Sequence, residues 1–277
     1  MSANVMRDMP AVEYHGIKAL SASRLKAFLR SPAHLRHMDE NPYTGPALAF
    51  GEAFHTAVLE PQRFAEQYIV APDVDRRTKD GKAAWQMFID ANPDKTILSY
   101  DDWISITGMA REVLLHPTAS DLLAGRKDTE LSMTWHMSAA GESIPCKARI
   151  DALNYADACI IDIKTTTDAS PEGFARAVAN FQYHIQAAWY LDACNMNDMD
   201  IPSVETMVFI AVEKAAPYGV GVYVLDEDSI NEARRRIRNA LPRYAVCAAQ
   251  NRWPSYDDGI QTLSLPRWAV RGEEVSL

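Results

Sequence analysis

Residues 159–164 read Cys159-Ile160-Ile161-Asp162-Ile163-Lys164, an apolar run interrupted by a carboxylate and an ammonium two residues apart. In a β-strand, residues i and i+2 project to the same face, so Asp162 and Lys164 leave this run together. Working outward, Glu130 to Met137, Ile144 to Leu153 and Cys159 to Ile163 have strand character, and Ala140-Gly141 and Asn154 to Asp157 separate them, which predicts an antiparallel meander. Downstream, a helix is predicted from Pro171 to Cys194, strands at Glu205 to Val212 and Gly219 to Leu225, and a helix from Asp228 to Ala249. This order predicts an α/β fold, a mixed central sheet flanked by helices, with a helical region before it.

In that N-terminal region, Leu20 to Met38 is expected to form two short helices divided at Ser31-Pro32, with Ser21 and Ser23 as candidate N-caps. Leu48 to Leu59 carries apolar residues at helical spacing and stops at Pro61, which sets Gly51 and His55 on one face. Val74 to Lys82 reads as a basic loop around a flexible Asp80-Gly81, feeding a helix with Trp85 and Phe88. Another helix is expected from Tyr100 to Leu115, ending at His116-Pro117.

With 277 residues, 48% apolar and 23% charged, the composition is that of a folded globular chain and excludes disordered, collagen-like and coiled-coil classes. No linker or repeat divides residues 1–277, so a single domain is expected, with mobile tails at 1–18 and 255–277. The net charge of −9 argues against an all-over basic nucleic-acid coat but leaves room for a local basic channel. Cys146, Cys159, Cys194 and Cys247 lie too far apart in sequence for the usual zinc spacing, and no long apolar segment suggests a membrane span or export signal. A reduced, cytoplasmic protein is expected.

A carboxylate and an ammonium side by side at a sheet edge can bind a hard cation and orient a water beside it. Asp151, eleven residues before Asp162 across a tight turn, can supply a second carboxylate from the adjacent strand, the minimum for magnesium. The same Asp-x-Lys spacing also fits a plain surface ion pair. Gln186 and Tyr190 share a helix face, and His55 follows Gly51, which permits close approach; each also fits a packing role.

The order Gly-x-x-x-His, Glu130, Asp151, Asp162-x-Lys164, Gln186-x-x-x-Tyr190 resembles the RecB-like branch of the PD-(D/E)XK nuclease superfamily. Leu20 to Leu25, Ser31 to His34 and Arg76 to Trp85 look more narrowly like the RecE, or exonuclease VIII, group, over roughly Ser21 to Pro254. The resemblance implies a restriction-endonuclease-like core. It implies a metal held by Asp151, Asp162 and the Ile163 carbonyl, with Glu130 and His55 completing one or two sites. Lys164 would position the attacking water, and Gln186 and Tyr190 would brace the site and contact Lys164 or DNA. It further implies Mg2+, with Mn2+ as substitute, and a 5′ to 3′ exonuclease acting on double-stranded DNA ends to supply 3′ overhangs for recombination. A homo-oligomeric ring (trimer or tetramer) and a RecT-type single-strand annealing partner come with it, and no membrane.

Arg24, Lys26, Arg30, Arg76, Arg77, Lys79 and Lys82 are the candidate DNA contacts, while the Arg234 to Arg238 cluster reads as a solvated helix face. Two other readings stay open: an endonuclease or single-strand nuclease with the same metal site, and a noncatalytic DNA-binding module of the same fold.

Overall fold

The computed structural model describes residues 4–196, 201–256 and 259–265. The chain starts with β1 (Asn4–Met6), α1 (Ala11–Gly16), α2 (Ala22–Arg30), α3 (Pro32–Glu40), α4 (Pro46–Leu59), α5 (Pro61–Gln67) and β2 (Tyr68–Val70). Next come α6 (Lys79–Ala91), β3 (Thr96–Leu98), α7 (Tyr100–Leu115) and α8 (Pro117–Leu123). The meander is β4 (Lys127–Ala139), β5 (Glu142–Asn154) and β6 (Cys159–Thr166). The chain then runs through α9 (Pro171–Asn180), α10 (Tyr183–Asn195), β7 (Thr206–Glu213), β8 (Val220–Val224) and α11 (Glu227–Gln250).

The six-stranded sheet has the order β1-β4-β5-β6-β7-β8, and β6 runs parallel to β7, to which it is joined through α9 and α10. The expected mixed sheet and antiparallel meander are both present. Each face of the sheet buries its own core. Alternation along β6 and β7 sends Ile160, Met207 and Phe209 toward α2, α10 and α11, and Ile161, Ile163, Val208 and Ile210 toward α4 and α7. Burial of both faces explains why these two strands read as almost unbroken apolar runs.

Local chemistry accounts for the helix boundaries. Ser21 accepts a hydrogen bond from the Arg24 amide to cap α2, and Ser31 both ends α2 and caps α3 ahead of Pro32. Ser99 caps α7, whose ends fall where the sequence placed them.

Three expectations are corrected. Residues 4–18 are not a free tail: β1 pairs with β4, and α1 is fastened to β5 by the Lys147 ammonium, which donates to the Tyr14, His15 and Ile17 carbonyls. Asp80 and Gly81 are not a flexible loop but the first turn of α6, capped by Thr78. A Cβ on Gly81 would lie 2.0 Å from the Asp75 carbonyl oxygen, so that glycine is required for the turn to close. The helix predicted from Pro171 to Cys194 is broken at Phe181-Gln182, where Gln182 is left-handed (φ 53°, ψ 45°). Most of the expected C-terminal tail, 257–258 and 266–277, lies outside the described residues. No described helix is long and apolar enough to cross a membrane.

Candidate active site

The sheet is irregular where the acidic residues gather. Ile150 and Ala152 would share a face in an ideal strand, yet Ile150 belongs to one core and Ala152 to the other. Between the Thr129–Ala152 and Leu131–Ile150 pairs the β4–β5 ladder is interrupted, and there Glu130 is left-handed, with φ 51°. A non-glycine residue in this region is strained, and such strain concentrates at functional sites. Here the kink brings the Glu130 and Asp151 carboxylates to one end of the cleft.

His55, on α4, closes the group. Its Nε2 donates to the Ile163 carbonyl at 2.9 Å, and its Nδ1 faces the Asp151 Oδ2 at 3.4 Å. The Ile163 amide donates to that same Asp151 oxygen at 2.9 Å. One donor atom from each of His55, Glu130 and Asp151 lies within 4.8 Å of the others. An imidazole and two carboxylates, beside a backbone carbonyl, form a donor set suited to a hard divalent cation. Burial raises the pKa of Asp151, with the nearby Asp162 charge adding to it and His55 and Lys164 opposing. Burial and the Asp151 charge likewise raise Glu130, against the pull of Arg149. Two carboxylates pressed together at such cost are what a bound cation relieves, so the residues fit a metal.

Behind this group lies a second, drier one. Asp162 is fully buried; its Oδ1 accepts from the Gln186 amide at 2.7 Å and its Oδ2 is ion-paired with the Lys164 ammonium. Burial opposes the charge on Lys164, but Asp162 and Asp151 together hold its pKa above the usual lysine value. The Lys164 ammonium also lies 5.1 Å from the centre of the Tyr183 ring, and Lys26 approaches the same ring at 5.6 Å. Burial, with Lys164 adding to it, brings the Lys26 pKa down to about 8.

The cleft encloses about 630 Å³ and is lined by Tyr14 and His15 of α1, Lys26, His55, Glu130, Asp151, Gln186 and Tyr190, among others. The structure therefore gathers His55, Glu130, Asp151, Asp162, Ile163, Lys164, Gln186 and Tyr190 in one region. Two details depart from expectation. Gln186 holds Asp162 rather than Lys164, and the aromatic ring against Lys164 is Tyr183 rather than Tyr190, which packs beside Gln186 with its hydroxyl pKa pushed far up by burial.

Arg149, which donates to Glu130 at 2.5 Å and to the Met9 carbonyl at 3.0 Å, is absent from the sequence-derived set, as are Tyr14 and His15. A signal existed for the first: Lys147, Arg149 and Asp151 alternate along β5.

The candidate DNA cations divide. Lys26 lines the cleft, whereas Arg24 is ion-paired with Asp39. Arg76 lies 4.5 Å from the Trp85 ring centre, Arg77 pairs with Asp75, and Lys79 and Lys82 are exposed on α6. Among the described residues, none of these last four lines the cleft. Arg235 pairs with Glu232 on the exposed face of α11, whereas the half-buried Arg234 and Arg236 reach across to Asp192 and His184 of α10, so this cluster is only in part a solvated face.

Residues 21–266 match the model of DUF3799, described as a PDDEXK-like domain of unknown function. The chain belongs to this family. Its fold is shared with a candidate exonuclease from Eubacterium rectale of known crystal structure: TM-score 0.59, 12% identity, with 89% of this chain and 88% of that one covered. Weaker likenesses are to SSO0001 (TM-score 0.34, 13% identity, 84% and 85% covered) and to VC1899 from Vibrio cholerae (TM-score 0.23, 10% identity, 89% and 60% covered). Among curated proteins, no relative matches the sequence. The match places the chain among PDDEXK-like domains without narrowing it to the RecE group.

Proposed function

We propose that the chain is a magnesium-dependent exodeoxyribonuclease that removes one strand of duplex DNA from its 5′ end and leaves 3′ overhangs for recombination. The observation that carries this reading is the meeting of His55, Glu130 and Asp151 within 4.8 Å, next to a lysine kept charged by a buried aspartate. A bound Mg2+, or Mn2+ in its place, would supply Lewis acidity toward the scissile phosphate and its attacking water. His55, Glu130, Asp151 and the Ile163 carbonyl would hold it, with Asp162 close behind.

The protein's own groups divide the remaining work. Asp162 fixes the Lys164 ammonium, and Gln186 fixes Asp162, so the lysine cannot swing away from the metal-facing end of β6. Held there as a cation, Lys164 orients a water by donating an N–H to its oxygen and stabilises the charge that gathers on the phosphate oxygens. Arg149 steadies Glu130 and ties the segment before α1 to the cleft wall, and Lys26 adds a second cation to the cleft lining. A net charge of −9 is compatible with DNA binding when the cations that matter line a channel. Enclosure of DNA by a homo-oligomeric ring, a RecT-type annealing partner and a cytoplasmic setting belong to the same proposal.

The test compares linear duplex, nicked circle and single-stranded DNA, each labelled at the 5′ or 3′ end, in Mg2+. Release of mononucleotides from the 5′ end of linear duplex alone supports the proposal. Cutting of circles indicates an endonuclease, and binding without cutting indicates the noncatalytic module.

A further inference from the structure

A second cavity of about 480 Å³ is lined by Thr165, the residue after Lys164 on β6, and by Tyr183, whose ring lies against the Lys164 ammonium. Tyr183 is the shared wall: its ring receives the Lys164 and Lys26 ammonium groups and also lines this second cavity. Thr165 and Thr167, Asn180, Phe181 and Lys214 line the rest that matters here.

This pocket is built rather than left over. β6 runs from Lys164 directly into its threonines, and the following loop is fastened to the end of β7, with the Ala169 amide donating to Glu213 at 3.0 Å and the Lys214 amide to the Thr166 carbonyl at 3.1 Å. Asp168 turns back to accept from the Ser170 amide at 2.9 Å, and its carboxyl group lies directly over Gly173 in the first turn of α9.

Phe181 is 61% exposed and stacks on Tyr183 with ring centres 5.6 Å apart and planes 25° apart, leaving an aromatic surface open to the pocket. The strained, left-handed Gln182 between the two rings is what turns one aromatic onto the other. An open ring face, a lysine and several hydroxyl and amide groups beside the water-orienting lysine match the parts of a nucleotide.

We infer that this pocket binds one unpaired nucleotide of the DNA strand, next to the scissile phosphate. The base stacks on Phe181, the phosphate meets Lys214, and Thr165, Thr167 and Asn180 face the sugar edge. The occupant is an unpaired nucleotide because a base inside a duplex has both faces covered by its neighbours. This inference rests on the nuclease reading above for its substrate class, yet binding can be measured without turnover.

The full-length chain in EDTA is titrated into duplexes carrying 2-aminopurine either as an unpaired terminal nucleotide or paired at an internal position. Quenching is expected for the unpaired probe alone. Phe181→Leu, which keeps apolar contact with Tyr183 but removes the ring face, should weaken binding of that probe roughly 5- to 100-fold. Phe181→Trp should restore it, which a merely structural role for Phe181 would not require. Lys214→Gln should lower the slope of log affinity against log salt by about 0.7. In Mg2+, Phe181→Leu should raise KM more than it lowers kcat. Unchanged affinity and quenching in Phe181→Leu overturn the inference and leave the nuclease reading standing. Quenching by a wild-type chain that cuts no DNA in Mg2+ supports the pocket and overturns the nuclease reading.

Discussion

Replacing Asp162 by alanine removes the buried partner of Lys164, and the cost can be worked from the surroundings. Asp162 is fully buried and the Lys164 side chain is only 15% exposed, so water can replace little of what either loses when the other is removed. Breaking a buried pair in this way leaves an uncompensated charge and typically costs about 3–5 kcal/mol. The lysine can limit that cost by shedding its proton, but from its ordinary value near 10.4 this itself requires about 4–5 kcal/mol at pH 7. The two routes agree on magnitude. For a domain of this size each kcal/mol moves the melting temperature by about 2–4 °C, so Asp162→Ala should melt roughly 6–20 °C lower. Loss of cleavage alone would not distinguish the variant from a simple metal-ligand deletion; the thermal shift does. A second variant, Asp162→Ala/Lys164→Met, removes both charges and should recover much of the lost stability while staying inactive. The pH dependence should also invert. In the wild type the raised Lys164 pKa contributes stability below the unfolded lysine value that is lost as pH rises through the folded one, whereas Asp162→Ala should gain stability with rising pH as its unpaired ammonium neutralises. Calorimetry without metal measures all three. An Asp162→Ala chain that melts with the wild type, or a double variant no more stable than the single one, would refute the buried-pair reasoning.

Three further outcomes are expected. Glu130→Gln keeps the shape of the site but removes one of the two crowded carboxylates, so it should abolish the rise in melting temperature that Mg2+ gives the wild type; an undiminished rise places the metal elsewhere. Lys26 has a pKa brought down to about 8, below its unfolded value, so the unfolded state binds more protons between those values and this group makes stability rise with pH there. Lys26→Met should therefore be more stable than wild type at pH 7, with the gap closing above pH 8, as urea unfolding at pH 7 and pH 9.5 will show. Arg76→Ala/Arg77→Ala should lower the salt slope of duplex binding by up to about 0.9 for each phosphate no longer neutralised, while leaving turnover on saturating DNA little changed; an unchanged slope assigns both residues to solvent.

How much was legible follows from how local each determinant is. Asp162 and Lys164 stood out because strand period alone puts two charges on one face of an apolar run. α7 was legible end to end because Ser99 caps it and His116-Pro117 stops it. β1 was not, since three residues pair with a strand more than a hundred positions away and carry no periodicity of their own. The break at Phe181-Gln182 lacks the glycine or proline that normally announces one, and it is this break that turns Tyr183 toward Lys164. Asp80-Gly81 read as a loop because the glycine signal masked the Thr78 cap. Glu130 was placed by its order in the chain, but its left-handed backbone and its pairing with Arg149 arise only when β4 and β5 meet.

The most direct test of the central claim is digestion of end-labelled linear duplex by wild type and Lys164→Met, each in Mg2+ and in EDTA. A hydrolytic site built from His55, Glu130, Asp151, Asp162 and Lys164 predicts nucleotide release by the wild type in Mg2+ and in no other condition. Equal release in EDTA, or near wild-type turnover by Lys164→Met in Mg2+, would contradict it.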